Sequence, residues 1–185
     1  MVVGGPQLEV AQAMTTSIDE LPQQQDALPE PIETSLGFRG RFLPSDDPNV
    51  LVGETWAAPG GGAGPLHYHL HQSERFEVLE GAITVRIGRR SHLVSAGETI
   101  TVPPRTPHTF VNHTDREAHF RAYFTPPMRL EALFTEMAGI AGKPSLARAA
   151  WLMADYREEF FYFAYVPVAL QRAVGALVRM LRPRL

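Results

Sequence analysis

Three histidines and one glutamate are the residues of this chain whose types and spacing are best suited to chemistry. His67, His69 and Glu74 lie in the stretch GGAGPLHYHLHQSERFEVLEG, and His108 follows in TVPPRTPHTFVNH. Residues two apart in a β-strand point to the same face, so His67 and His69 project together. Imidazole with carboxylate suits a divalent transition metal, and this donor set does not choose between Fe, Mn, Ni, Cu and Zn.

The residues around these four predict that they point into an apolar interior. Glu74 has the same strand parity as Phe76, and His108 shares a face with Phe110. A buried, ionised carboxylate is costly unless it is paired or binds a metal. A lone inward histidine is more often a hydrogen-bonded core residue, but four candidates together favour a metal site. We interpret His71 as a loop or supporting residue and not as a fifth ligand.

The spacing of these residues resembles the two motifs of the cupin superfamily. The first, G-x5-H-x-H-x4-E-x6-G, is met in full, and the second, G-x5-P-x-G-x2-H-x3-N, is met at every position but one. The matching positions are Gly61, His67, His69, Glu74, Gly81, Gly97, Pro103, His108 and Asn112. Arg105 stands where the second motif has glycine, so we expect there either a β-region turn or strained left-handed backbone.

This resemblance implies a mainly β fold, an antiparallel jelly-roll barrel of about six to eight strands. It implies that the metal ligands are His67, His69, Glu74 and His108. The three motif glycines are then expected to serve turns, and Asn112 to support the strand of the second motif.

The pattern along the chain predicts three segments. Residues 1–35 are rich in Pro and Gln without periodicity, which predicts a weakly structured arm. Turn signals about every 8 to 12 residues across 36–127 are typical of a sandwich or barrel. After Pro127 the apolar period becomes helical, so residues 128–185 are predicted to form a C-terminal extension of two to three helices.

The last predicted helix, about 168–181, is amphipathic. Leu170, Val174 and Leu177 form an apolar stripe, with arginines on the other side. A basic amphipathic helix can lie on an anionic membrane surface. Such a stripe more often packs on its own domain or on a second copy, and we predict packing rather than membrane contact. The arm and the apolar tail offer surface for a homodimer, which is the predicted assembly.

Composition excludes several classes of function. The net charge of −3 predicts no nucleic-acid affinity. The chain has no cysteine, which excludes disulfides, thiolate metal sites and a cysteine nucleophile. Neither a G-x-S-x-G nor a Walker A sequence is present. We find no secretory signal and no apolar run long enough to span a membrane, so we expect a cytoplasmic protein.

The first functional hypothesis is a metal-dependent, dioxygenase-type enzyme acting on a small apolar, aromatic or polyketide-like molecule. The run HxHxxxxExFxVLEG is similar to that of quercetin-dioxygenase-type small cupins. Glu74 would stay on the metal or act as a base. The candidate pocket residues are Trp56, Phe76, Arg105, Phe110 and Tyr123. Tyr123 and Phe124 have opposite parity, so only one of them can face inward.

Two other hypotheses use the same residues. A non-redox isomerase, lyase or cyclase would employ the metal as a Lewis acid. A non-catalytic protein would bind a small molecule in the barrel. The identity of the metal discriminates between the two enzyme hypotheses, since zinc argues against O₂ chemistry.

Overall fold

Two antiparallel β-sheets form most of the structure, a computed structural model that describes residues 1, 28–138, 151–152, 154–156, 158 and 162–180. The strands are β1 (Ile32–Glu33), β2 (Phe38–Leu43), β3 (Leu51–Ala57), β4 (His67–Tyr68), β5 (Ser73–Glu80), β6 (Ala82–Ile87), β7 (Arg90–Ser95), β8 (Thr99–Val102), β9 (His108–Val111), β10 (Ala118–Thr125) and β11 (Tyr162–Phe163). The first sheet has the order β1-β2-β3-β10-β5-β8, and the second has the order β11-β4-β9-β6-β7.

The core lies between the two sheets and is filled by aromatic rings. In β5 and β10 buried and partly exposed residues alternate, because one face of the first sheet turns inward and the other outward. Phe76 and Phe120 from the first sheet meet Phe110 from the second, with ring centroids 5.0 to 5.9 Å apart. Tilted and edge-on ring pairs of this kind favour a well-packed interior.

The structure confirms the mainly β class but corrects the closed barrel. Among the described strands, no hydrogen-bonded strand pair joins the first sheet to the second. The two sheets instead pack face to face as a sandwich. Large side chains such as Phe76 and Phe120 hold the sheets too far apart for a backbone ladder between them, since packed sheets lie about 10 Å apart.

The described N-terminal residues carry the first strand. Ile32 and Glu33 lie inside the segment that the sequence assigns to the arm, and they pair with Gly40 and Arg39 of β2. Residues 2–27, which make up most of the predicted arm, lie outside the described residues. The described part of the sheet therefore begins at Ile32.

The C-terminal segment contributes helices and one strand. Helix α1 (Leu130–Ala138) buries Leu130 and Leu133 in the core, and its Phe134 packs edge-on against Phe42 of β2. Residues 151–152 and 154–155 are also helical, and α2 spans Val168–Met180. None of the helices in the described part of the chain is long and apolar enough to cross a membrane.

The sequence predicts that the apolar stripe of α2 packs on its own domain or on a second copy. The structure contradicts the first of these alternatives. Leu170, Val174 and Leu177 are each more than half exposed. The sequence pattern identified the helix and its apolar face correctly, but it could not show which face turns toward the sheets. Packing on a second copy stays a prediction.

The three motif glycines have two different roles. Gly81 and Gly97 have φ angles of 72° and 86°, as expected for turns that only glycine adopts without strain. Gly61 lies instead against the backbone of Gly37, where an added Cβ would come within 2.0 Å of the Gly37 carbonyl oxygen. Gly61 is therefore required by a close approach of two chain segments and not by a turn.

A charged cluster stabilises the outer face of the first sheet. The buried Glu54 carboxylate accepts a hydrogen bond from Arg41 Nε at 2.8 Å and lies 3.0 Å from His119 Nε2. The His119 ring stacks on Trp56 with centroids 4.7 Å apart, and the Arg41 guanidinium lies 5.3 Å from the Trp56 ring centroid. Burial alone would raise the pKa of Glu54, but the bonds from Arg41 and His119 outweigh it and lower that pKa.

Glu54 is expected to make folding stability depend on pH in the acid range. Because its folded pKa lies below the unfolded value of 4.5, its contribution is complete above pH 4.5 and is lost as the pH falls through the folded pKa. Glu54→Gln should lower the free energy of unfolding at neutral pH by about 2 kcal/mol. Urea unfolding of parent and variant at several pH values measures this, and parallel stability curves below about pH 5 would contradict it.

Candidate metal centre

The candidate metal centre lies between the two sheets, and both sheets contribute side chains. His67 comes from β4 and His108 from β9, and these two residues are direct cross-strand partners in the second sheet. His69 lies just after β4. Glu74 comes from β5 of the first sheet and faces them across the sandwich. The predicted strand parity therefore brings the four side chains together.

The geometry of the four side chains is that of a ligand set. One donor atom from each of His67, His69, Glu74 and His108 lies within 4.8 Å of the others. Each residue is between 2% and 7% exposed. Glu74 Oε2 lies 2.8 Å from His108 Nε2 and 3.6 Å from His69 Nε2. Three imidazoles thus converge on one carboxylate in a site closed to bulk water.

Backbone carbonyls fix the orientation of two of the rings. His67 Nδ1 donates to the Pro65 carbonyl at 2.9 Å, and His108 Nδ1 donates to the Thr106 carbonyl at 2.8 Å. In the neutral form of each ring, Nε2 then carries no proton and can bind a metal, an arrangement that metal-binding histidines commonly have. None of the described residues forms a hydrogen bond with the buried His69 Nδ1, so a bond from this ring to a cation would fix its orientation.

The charges in the site favour a cation. Burial, together with the nearby His108, lowers the pKa of His67 to about 4, so this ring is neutral at pH 7. Burial would raise the pKa of Glu74, but hydrogen bonds from His108 and His69 hold it well below its usual range. Burial likewise opposes charge on His108, yet its bond to Glu74 raises its pKa. A buried carboxylate surrounded by imidazoles is a fitting site for a divalent metal.

His71 does not belong to the ligand set, as predicted. Its exposed ring lies 3.3 Å from Glu158 Oε2, and the same oxygen lies 3.3 Å from Arg172 of α2. Strand β11 pairs with β4 just before this loop, with Phe163 opposite His67. The C-terminal segment therefore contacts the strand and the loop that carry two of the ligands, a connection that the sequence pattern did not reveal.

Two of the predicted pocket residues lie in the core between the sheets. Phe76 and Phe110 are 1% and 6% exposed and contact each other with centroids 5.8 Å apart. They belong to the inner wall, as their parity predicts. Phe124 also faces inward, and its ring lies edge-on to His69 at 6.2 Å. Phe124 is therefore the inward member of the Tyr123–Phe124 pair.

The structure corrects the placement of Trp56 and Tyr123, which lie on the outer face of the first sheet. Trp56 stacks on His119. The Tyr123 hydroxyl donates to Glu77, and its ring borders an outer cavity of about 460 Å³ together with Arg75. An aromatic residue in a strand does not reveal its face, and here the alternation places both rings outward.

Arg105 adopts left-handed backbone, the second of the two alternatives that the missing motif glycine leaves open. Its φ is 61°, its side chain is exposed, and its backbone N–H donates to the His69 carbonyl at 2.7 Å. The turn at Arg105 therefore helps to hold the His69 segment. Its guanidinium lies at the surface and not within the cluster of ligands.

The strain at Arg105 leads to a prediction about stability. Arg105→Gly removes the free-energy cost of left-handed backbone in a non-glycine residue, about 1–2 kcal/mol, but it also makes the unfolded chain more flexible. The glycine variant should therefore be as stable as the parent or up to about 1 kcal/mol more stable. Arg105→Val should be less stable by about 1–2 kcal/mol, because a β-branched residue tolerates positive φ poorly. Urea unfolding of both variants measures the difference. A glycine variant less stable than the valine variant would contradict the assignment.

Gln72, two residues before Glu74, is a buried polar residue that the sequence reasoning missed. It is 1% exposed and has the same parity as Glu74, two residues further on. Its Nε2 donates to the carbonyls of Pro126 and Pro127, while its Oε1 is buried without a hydrogen-bond partner. The parity of Gln72 with Glu74 was the available signal, but a glutamine at such a position is ordinarily exposed.

Fold and site together define a class of protein, an antiparallel two-sheet jelly roll with a buried group of three histidines and one glutamate. Residues 55–124 match the family model described as cupin domain. The match spans the part of the chain that carries both motifs, and it supports the resemblance to small cupins that those motifs predict. No curated protein matches the sequence.

Several solved structures are similar to this one over about half of the chain. An RmlC-like cupin from Shewanella frigidimarina has a TM-score of 0.49 at 21% identity, covering 56% of this chain and 88% of the other. A sugar phosphate isomerase of the cupin superfamily from Silicibacter pomeroyi has a TM-score of 0.47 at 26% identity, covering 54% and 72%. A predicted oxalate decarboxylase from Thermotoga maritima has a TM-score of 0.48 at 20% identity, covering 55% and 95%.

Proposed function

We propose that the protein is a metal-dependent oxygenase that acts on a small apolar or aromatic molecule. The observation that carries this proposal is the complete set of three imidazoles and one carboxylate, buried beside aromatic rings. Four protein ligands leave two positions of an octahedral metal open, as a catalytic site requires. A redox-active metal held there would supply the site at which O₂ and an ionised substrate oxygen react.

The surroundings of the ligands support an apolar substrate. Within the described residues no Arg or Lys side chain is buried, so this part of the interior offers no guanidinium or ammonium group to a phosphate or a carboxylate. Phe76 and Phe110 are buried two positions after Glu74 and His108, and the buried Phe124 ring lies 6.2 Å from the ring of His69. A wall of this kind favours aromatic or polyketide-like molecules over sugar phosphates.

Glu74 is the residue that would move a proton. Its low pKa keeps it a carboxylate at neutral pH, and Oε2 accepts the hydrogen bond from His108. A carboxylate with so low a pKa is a weak base, so it would take the proton of a phenol or an enol only if a bound metal made that substrate oxygen more acidic. His67 stays neutral and keeps the net charge of the site low.

Oxygen consumption tests the proposal. The protein is loaded with Fe²⁺ or with Zn²⁺ and mixed with flavonoids, β-diketones and phenols in an oxygen electrode. We expect O₂ uptake with at least one substrate class, with the iron-loaded protein alone, and its loss in Glu74→Gln. If the substrate is converted at the same rate with Fe²⁺ and with Zn²⁺ and no O₂ is consumed, the oxygenase proposal is contradicted. The same centre would then catalyse a non-redox reaction.

A further inference from the structure

Gln72 carries a hydrogen-bond acceptor whose orientation is fixed. Its side chain is 1% exposed, and its Nε2 donates to the carbonyl oxygens of Pro126 at 2.8 Å and Pro127 at 3.1 Å. A reversed amide would place its oxygen against these two carbonyl oxygens, so the two bonds decide which end of the amide is the nitrogen. The other end, Oε1, can only accept a hydrogen bond.

The acceptor Oε1 has no donor in the described part of the chain. The atom is buried, and none of the described residues forms a hydrogen bond with it. Buried polar atoms of folded proteins are almost always paired, because leaving one unpaired costs free energy. A buried acceptor of this kind indicates a bound molecule that brings a donor to it.

Gln72 lies at the end of the sandwich that carries the candidate metal ligands. It precedes β5 and has the same strand parity as Glu74, and inward residues two apart on a strand are about 6–7 Å apart. Strand β10 pairs Phe124 with Glu74, and Pro126, which accepts from Gln72, follows two residues later. The Phe124 ring centroid lies 6.2 Å from that of His69. A substituted aromatic ring held at Glu74 and His69 would therefore reach the Gln72 amide.

We infer that Gln72 Oε1 accepts a hydrogen bond from a hydroxyl group of the substrate, which makes Gln72 a specificity-determining residue. The inference rests on the function proposed above, the binding of a small aromatic molecule at the metal centre. A substrate carboxylate has no proton to donate at neutral pH, so this position selects against it. A methyl ether in place of the hydroxyl would leave the acceptor buried and unpaired, and sites built to bond a substrate hydroxyl reject such analogues.

Two probes that differ in one hydroxyl test the inference on the full chain loaded with Zn²⁺. The first is 4-nitrocatechol, and the second is 2-methoxy-4-nitrophenol, in which a methyl ether replaces one hydroxyl. The absorbance of the nitrophenol group reports binding without any turnover. We expect the parent to bind 4-nitrocatechol at least about ten-fold more tightly than the ether. Gln72→Met should reduce this preference roughly five- to ten-fold and keep the parental Zn²⁺ affinity.

The ratio of the two affinities separates the acceptor from the structural role of Gln72. Gln72→Met also removes the bonds to Pro126 and Pro127, but this loss would affect the two probes alike. Ser73→Ala is the matched control, because the Ser73 hydroxyl donates to the Thr125 carbonyl at 3.3 Å, also at the end of β10, from the outer face. This variant should keep the preference of the parent.

Three outcomes would overturn the inference. An equal preference in the parent and in folded Gln72→Met would show that the preference does not come from the amide, while the proposed function would stand. Equal binding of the two probes by the parent would have the same meaning, and it requires no variant to fold. A parent that binds neither probe would contradict the aromatic substrate and this inference together.

Discussion

His108→Gln is expected to reduce metal affinity at least about 100-fold. His108 lies opposite His67 on the neighbouring strand and is the imidazole nearest to the Glu74 carboxylate. Its loss removes a donor and also a hydrogen bond that keeps Glu74 ionised. Calorimetric titration of the metal-free protein with Zn²⁺ measures the affinity.

A matched control separates the loss of a ligand from the loss of any histidine. His92 lies exposed on β7, the edge strand of the second sheet, and β6 separates this strand from the ligand-bearing β9. His92→Gln should bind Zn²⁺ as the parent does, and both variants should retain the β-sheet circular dichroism spectrum. A His108→Gln protein that is folded and binds Zn²⁺ with parental affinity would exclude His108 from the metal centre.

Gly61→Ala is expected to lower the free energy of unfolding by more than about 4 kcal/mol, or to prevent folding. An added Cβ would lie 2.0 Å from the Gly37 carbonyl oxygen and 2.8 Å from its carbon. Both are backbone atoms, which cannot rotate away as a side chain does. The segment before His67 would therefore separate from the turn at Gly37, and the metal centre would be lost with it.

The neighbouring Gly60 provides the control for this prediction. An added Cβ at Gly60 meets nothing within 4 Å, although φ is 80°. Gly60→Ala should cost only about 1 kcal/mol, from its backbone conformation. Urea unfolding followed by circular dichroism compares the two variants, and soluble yield is the readout if Gly61→Ala does not fold. Equal stability of the two variants would contradict the close approach at Gly61.

The cluster of His67, His69, Glu74 and His108 was predictable from the sequence because strand parity and motif spacing fix these positions locally. His67 and His69 must share a face if they lie in one strand, and the second motif supplies His108 at a fixed distance from its glycine. At Arg105 the missing motif glycine indicated an unusual turn, but the sequence did not choose between a β-region turn and the left-handed backbone that the structure has.

Other features depend on tertiary contacts that no local pattern encodes. The outward faces of Trp56 and Tyr123 follow from which side of β3 and β10 meets the second sheet. The separation of the two sheets depends on the aromatic rings between them. The addition of β11 to β4 joins residues about 95 positions apart along the chain, where neither strand is longer than two residues.

The metal content of the protein as purified, measured by mass spectrometry beside that of His69→Ala, tests the central claim most directly. We predict about one redox-active metal, Fe, Mn, Ni or Cu, for each chain and its loss in the variant. Finding zinc instead would support the metal centre but would favour a non-redox reaction over the oxygenase. No metal in the parent under any loading condition would contradict the four-ligand centre.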